Sequence, residues 1–368
     1  MNKVLLGDVA EEVRENYKEM DGNPAVVGLE HLIPGEIRLK EWSEDTNTTF
    51  TKAFHKGQVL FGRRRAYLKK AAVAPVDGIC SGDITVISAK QDKILPELLP
   101  FVIQNDDFFD FAVGKSAGSL SPRVKWSRLK EYEFNLPSLS QQRKLAKLLW
   151  SFVDAKEAYE DLIRQTDELV KSQFIEMFGD PVTNNHGWPT IPLREVAPEY
   201  SPKLPEADSY WWLNLDMIET YSGRLMEKVI ATPEEIGNST STFDATMVLY
   251  SKLRPYLNKV FVPDDCGYAT TELVGLRPNS KILNKYFLFN LLRGDQFVAY
   301  ASGLSSGGQM PRIPMKALRD FKCILPPMEL QEQFVETSHQ SDKSKFELNE
   351  AIKDLDAMYK RIIKDNLG

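Results

Sequence analysis

Cysteine and histidine are scarce in this chain. Three cysteines (Cys80, Cys266, Cys323) and four histidines (His31, His55, His186, His339) are scattered over 368 residues. No CxxC pair occurs, which argues against a disulfide framework and against a zinc site, and the thiols are expected to be reduced and buried. Long apolar runs are missing too: nothing approaches the ~18 consecutive apolar residues of a spanning helix. The opening stretch from Met1 to Asp8 turns polar after three apolar residues, so it lacks the apolar core of a secretory signal, and a cytoplasmic protein without membrane contact is expected.

Catalytic motifs are equally hard to find. Gly114-Lys115-Ser116 ends like a phosphate-binding loop, but Phe109 stands where that motif needs glycine. No G-x-G-x-x-G occurs, and there is no Asn- or Asp-Pro-Pro-aromatic signature of an amino-methyltransferase. Pro263-Asp264 is followed by Glu272-Leu-Val274, without the lysine that a nuclease site of that type requires. No metal-ligand cluster and no nucleophile–histidine pair stands out. The expectation is a protein without catalysis or a cofactor of its own.

What remains is ordinary globular composition, 42 % hydrophobic and 27 % charged, at a length natural for two domains. The net charge of −6 argues against nucleic acid only weakly, because affinity depends on where charge sits.

The dominant feature is an internal repeat. The segment Val59–Val73 aligns with Val248–Val262, an offset of 189, with seven of fifteen positions identical. Unrelated segments match at roughly one position in sixteen. The same offset pairs Gly78 with Gly267, Gly114 with Gly303, Ser116 with Ser305, Pro122-Arg123 with Pro311-Arg312, Leu136-Pro137 with Leu325-Pro326 and Gln142 with Gln331. Upstream the offset drifts, and Leu6 falls on Leu193 and Leu29 on Leu215. One fold therefore occurs twice.

Within a copy, Val59–Phe61, Ala71–Val73 and Ile84–Ile87 read as strands, with turns at Pro75, Asp77-Gly78 and Ser81-Gly82. Residues 96–113 have helical periodicity, followed by a polar loop, Gly114 to Pro122 in one copy and Gly303 to Pro311 in the other. The fold class expected is α+β: two similar mixed modules separated by two long helices.

The helices are read from a heptad seam. Leu145, Leu148, Phe152, Ala155, Tyr159, Leu162, Thr166 and Leu169 alternate in steps of three and four. Ser138 and Gln141 form a capping box at its start, and Gly179 and Pro181 mark its end. Such a helix, about 38 residues long, spans roughly 57 Å. The second copy places Leu348, Ala351, Leu355, Met358 and Ile362 on a like seam. Paired helices related by a pseudo-twofold must run antiparallel, which brings the C-terminus back near Met1. The alternative is that each helix packs on its own module. The boundaries expected are 1–139 and 180–328 for the modules, and 140–179 and 329–368 for the helices.

Basic residues cluster at matching positions. Stretches 56–76, 111–130, 247–262 and 297–319 carry lysine and arginine and no acid, in a chain with 52 acids. Lysine and arginine neutralise phosphates, arginine grips guanine, and asparagine and glutamine grip adenine. In copy one the candidate DNA contacts are Arg63, Arg64, Arg65, Tyr67, Lys69 and Lys70, with Lys115, Ser116, Ser119, Ser121 and Arg123 on the polar loop. In copy two they are Lys252, Arg254, Tyr256, Asn258 and Lys259, with Ser305, Ser306, Gln309 and Arg312. The bland alternative is solvated surface, with Tyr67 and Tyr256 in the core. Positions that differ between copies, such as Arg63-Arg64 against Lys252-Leu253 or Ser119 against Gly308, suit base reading, and shared ones suit phosphate contact.

Three pieces together resemble a known family. They are Gly57-Gln-Val-Leu-Phe-x-Arg with Tyr67-Leu-Lys-Lys and Cys80-Ser-Gly-Asp83, then Pro137-Ser-Leu-Ser-Gln-Gln with Pro326-Pro-Met-Glu-Leu-Gln-Glu-Gln333, then Phe174-Ile-Glu-Met-Phe-Gly-Asp-Pro181. In this order and duplicated, they resemble the specificity subunits of Type I restriction–modification systems over essentially the whole chain. The linker Asn184 to Pro189 has no counterpart before copy one, and copy two lacks the serine cap. The resemblance implies two target-recognition domains, each reading half of a bipartite asymmetric DNA site, with an antiparallel coiled coil setting the spacer. It also implies two adenine methyltransferase subunits that bind S-adenosylmethionine, and motor–nuclease subunits that use ATP and Mg²⁺. A subunit serving methylation alone, and a protein-interaction scaffold, are the alternatives.

Overall fold

The computed structural model describes residues 2–17, 24–238 and 240–368. The chain divides into two units: Met1–Asp161 with Leu348–Gly368, and Leu162–Glu347.

In the first unit a four-stranded antiparallel sheet runs in the order Ala10–Val13, Ile84–Ala89, Val59–Gly62, Ala71–Val73. The two central strands are apolar and buried on both faces (Val59, Leu60, Phe61, Ile84, Val86, Ile87), which explains why they read as continuous apolar runs rather than alternating ones. A second sheet sets Gly78–Cys80 between Ala25–Val27, parallel to it, and Lys52–Phe54, antiparallel. Gly78, expected in a turn, begins this middle strand. A Cβ there would lie 2.2 Å from the Ala25 carbonyl oxygen, so close backbone approach explains the glycine. The helical periodicity of 96–113 resolves into two helices, Leu99–Ile103 and Asp106–Gly114. The break falls at Asn105, whose side chain caps the second helix by accepting from the Asp107 amide.

The second unit repeats the central pairings of this plan, but the counterpart of Ala10–Val13 is reduced to a bridge between Glu199 and Leu276, and the second sheet gains the strand Val229–Ala231. Val59 pairs with Ile87 and Val248 with Leu276; Leu60 pairs with Ala72 and Leu249 with Phe261. Val26 opposite Ile79 becomes Trp212 opposite Tyr268, so the drift in offset is a length change between the strands and not a slip in register. Buried Gln142 accepts from the Leu95 amide and donates to the Pro137 carbonyl; buried Gln331 does the same with Asn284 and Pro326.

Two helices of 40 residues, Leu139–Phe178 and Met328–Leu367, contribute to both units. In the first unit they run antiparallel. Lys156 pairs with Asp356 at 3.1 Å, and at the other end Asn135, just before the first helix, donates to the Gly368 carbonyl. Asn135 is the strand partner of Lys3, which sets Gly368 beside the first strand; Met1 itself lies outside the described residues. In the second unit Lys345 pairs with Asp167 at 2.7 Å and Phe174 meets Phe334 at 5.3 Å, again antiparallel. At the first helix start Gln141 accepts from both the amide and the hydroxyl of Ser138, which is the return half of a capping box. Gly179, with φ of +73°, ends the helix.

The seam lies one position away from part of the expected one. Leu145, Phe152, Tyr159, Leu348, Leu355 and Ile362 are buried or half-buried, but Leu148, Leu162, Leu169 and Met358 point to solvent. Leu149, Ile163, Val170 and Tyr359 take their places; Val170 is 8 % exposed where Leu169 is 63 %. The reason is double duty. In each unit both helices pack on the module as well as on each other, with Leu149 and Ile363 in one core with Phe101 and Phe134, and Val170 and Phe334 in another with Phe287 and Leu291. The buried stripe rotates toward the module.

Cys80 and Cys323 are buried, and loss of solvation pushes both thiols up to about 12; Cys266 is only half-buried. No helix among the described residues is long and apolar enough to cross a membrane.

Candidate nucleic-acid interface

In each module the basic turn and the polar loop form one platform. In module one the chain leaves the strand Val59–Gly62, turns through Arg63–Lys70 and returns as Ala71–Val73. Arg65 and Lys69 hold left-handed conformations (φ of +55° and +50°) on either side of a short 3-10 turn, Ala66–Leu68. In module two Arg254 and Asn258 repeat this at +48° each, around Pro255–Leu257. Left-handed non-glycine residues at matching positions in both copies mean that surrounding contacts over-determine the turn.

Those contacts come from the polar loop. The Arg65 amide donates to the Pro122 carbonyl at 2.8 Å, and the Arg254 amide to Pro311 at 2.7 Å. Ala117 and Arg123 exchange backbone hydrogen bonds across the loop, as do Ser306 and Arg312. Two acids outside the basic stretches finish the job. Asp83 accepts from Arg123 at 2.7 and 3.2 Å, and Glu272 accepts from Arg312 at 2.7 to 3.1 Å. The hydrogen bonds from Arg123 and Arg312 hold these carboxyls below their ordinary range. Arg64 also lies 3.6 Å from Asp83 and donates to the Ser121 hydroxyl. Sequence reasoning passed over both acids; the signal was there, since positions 83 and 272 lie one repeat apart and are both acidic.

Several candidate contacts point into the protein. Lys70 Nζ donates to the Leu29 carbonyl at 2.7 Å, and Lys259 to the Leu215 carbonyl at 2.6 Å. These are buttresses under the turn, and burial lowers the Lys259 pKa. Asn258 is buried and donates to the Arg293 carbonyl. Ser116 and Ser305 donate to the Ala112 and Ala301 carbonyls, closing helix ends. For these five the polar group is engaged inside the module, where it supports the turn or closes a helix end. Lys69 is ion-paired to Asp106 at 2.6 Å, and Lys115 lies 3.9 Å from Glu131. Arg63 and Lys252 are half-buried beside the loop, where Val124 and Ile313 donate to their carbonyls.

The solvent-facing set is smaller. It includes Arg65, Tyr67, Ser119 and Leu120 in module one, and Tyr256, Ser306, Gln309 and Met310 in module two, together with the exposed but ion-paired Lys115, Arg123 and Arg312, with Arg254 half-buried and donating to the Gln309 carbonyl. Tyr67 and Tyr256 are thus outside the core. Each platform offers cations, aromatic faces and a backbone-rich loop apex on a fixed scaffold. That arrangement suits phosphate contact and base-edge reading by loops. Among the described residues no group of His, Cys, Asp or Glu is arranged to hold a metal ion.

A family model described as the Type I restriction modification DNA specificity domain matches residues 6–165 and 242–355. The Type I restriction enzyme EcoDI specificity subunit of Escherichia coli is 28 % identical over 145 residues, covering 37 % of this chain and 31 % of that protein. The match thus spans about a third of the relative's length. Two solved structures share the fold. One, described as the structural basis of complex assembly and conformational transition of the type I R-M system, has a TM-score of 0.58 at 20 % identity and covers 99 % of this chain and 97 % of its own. The other, the S subunit of a Type-I restriction-modification system from M. genitalium, has a TM-score of 0.57 at 12 % identity, covering 100 % and 96 %.

Proposed function

The chain belongs to the Type I restriction modification DNA specificity family, and on that footing we propose that it selects the DNA site for a restriction–modification complex while performing no chemistry itself. Each module reads one half of a two-part asymmetric sequence through its turn-and-loop platform. The observation that carries this reading is the duplication of the platform with its scaffold kept and its face changed. The Arg65/Arg254, Lys70/Lys259 and Arg123/Arg312 contacts are shared, while Leu120 faces solvent where the other copy has Gln309. Two like scaffolds with unlike faces read two unlike half-sites.

The long helices set the distance between halves, and the outward Leu148, Leu162, Leu169 and Met358 supply apolar surface for methyltransferase subunits, two per chain. Module boundaries at 1–139 and 180–328 follow from the same reading. S-adenosylmethionine, ATP and Mg²⁺ belong to the partner subunits, which methylate adenine and translocate or cut DNA in the cytoplasm.

The test is co-expression with the neighbouring methyltransferase in a methylation-free host, followed by single-molecule sequencing. A two-part motif with a fixed gap is expected. A soluble complex that leaves no methylation anywhere supports the scaffold alternative instead.

A further inference from the structure

Leu120 is 91 % exposed, and among the described residues the next most exposed large apolar side chain, Phe346, is 65 % exposed. A lone exposed leucine normally needs no explanation. Leu120 differs because its backbone is fixed on both sides. Before it, Gly118 adopts φ of +111° and Ala117 is bridged to Arg123. After it, the Ser121 hydroxyl accepts from Arg64 and the Pro122 carbonyl accepts from the Arg65 amide. The loop therefore holds an apolar side chain out into water at its apex, next to the cationic turn. Gly307 repeats the glycine conformation with φ of +118° in module two, where the apex residue is Gln309.

Resting on the DNA-reading function above, we propose that Leu120 is a specificity-determining residue of module one and that its target is the 5-methyl group of a thymine in the major groove. Thymine is the base whose major-groove edge offers a methyl group to apolar side chains, whereas glutamine in the same place pairs with the two polar atoms of adenine. The apex residue thus changes the chemistry of readout between the copies while the scaffold stays the same.

The test uses the complete complex of this chain with its methyltransferase, on duplexes of the methylated site in which each thymine is replaced singly by deoxyuridine. The half belonging to module one is identified as the half that changes when residues 1–139 are exchanged. In that half, one replacement is expected to weaken wild-type binding roughly fourfold, the value of one buried methyl. With Leu120→Gln the thymine and uracil duplexes are expected to bind alike at that position, and the other half is unaffected. The inference is overturned if no uracil replacement in that half weakens binding, if the half contains no A·T pair, or if the loss persists in Leu120→Gln. A wild-type complex without any sequence preference overturns the DNA-reading function itself, so the two failures are separable.

Discussion

Glu272 grips Arg312 as Asp83 grips Arg123, and in each module this pair closes the loop that carries the readout onto the turn that carries the positive charge. Asp83→Asn is expected to loosen residues 114–123 while leaving the sheet intact. Hydrogen exchange at the Ala117 and Arg123 amides should rise, and methylation should lose discrimination in one half of the site only. Because the Asp83 carboxyl is held below its ordinary value by Arg123, this contribution is complete above the unfolded value of ~3.9 and disappears as pH falls through the lower folded value.

Removing a buttress has a different signature. Lys259→Ala withdraws the donor to the Leu215 carbonyl and should destabilise the second unit by about 1.5 kcal/mol, the scale of a hydrogen bond to a charged group. Chemical denaturation measures this, and the methylated motif should be unchanged. Arg65→Ala should do the reverse, leaving stability within about 0.5 kcal/mol. It should weaken DNA binding and reduce the slope of log affinity against log salt by about 1.

On the first long helix, neighbouring leucines should behave oppositely. Leu149 is fully buried, and Leu149→Ala should cost about 2–4 kcal/mol. Leu148→Ala should leave the free chain within about 0.5 kcal/mol of wild type yet weaken association with the methyltransferase. Thermal melts and pull-down with the partner separate the two. Equal destabilisation by both would return Leu148 to the seam.

His55 sits between Asp77 and Glu15, each at 3.1 Å, and hydrogen bonds to Asp77 and then Glu15 raise its pKa. The stabilisation is fully present below the unfolded value of ~6.5 and is lost as pH rises through the raised folded value. His55→Gln should therefore lower the melting temperature at pH 6 more than at pH 9.

The duplication, the mixed modules and both long helices were legible in the sequence because each rests on a pattern of many residues. The seam was legible only to within one position. Leu148 and Leu149 both fit a three-and-four spacing, and packing against the module decides which is buried. The basic stretches were legible as charge but not as contacts, because Lys70 and Lys259 find carbonyl partners about 40 residues away and Arg123 finds its acid at Asp83. Leu120 escaped notice since a leucine in a polar loop looks unremarkable until its backbone is seen to be pinned.

The most direct measurement of the central claim is a module exchange. Residues 1–139 are replaced by the corresponding segment of another member of the family, and the methylated sites of wild type and chimera are mapped in the same host. The expected result is a motif in which one half changes while the other half and the gap stay as they were. A chimera that folds, binds its methyltransferase and changes both halves, or neither, contradicts the account.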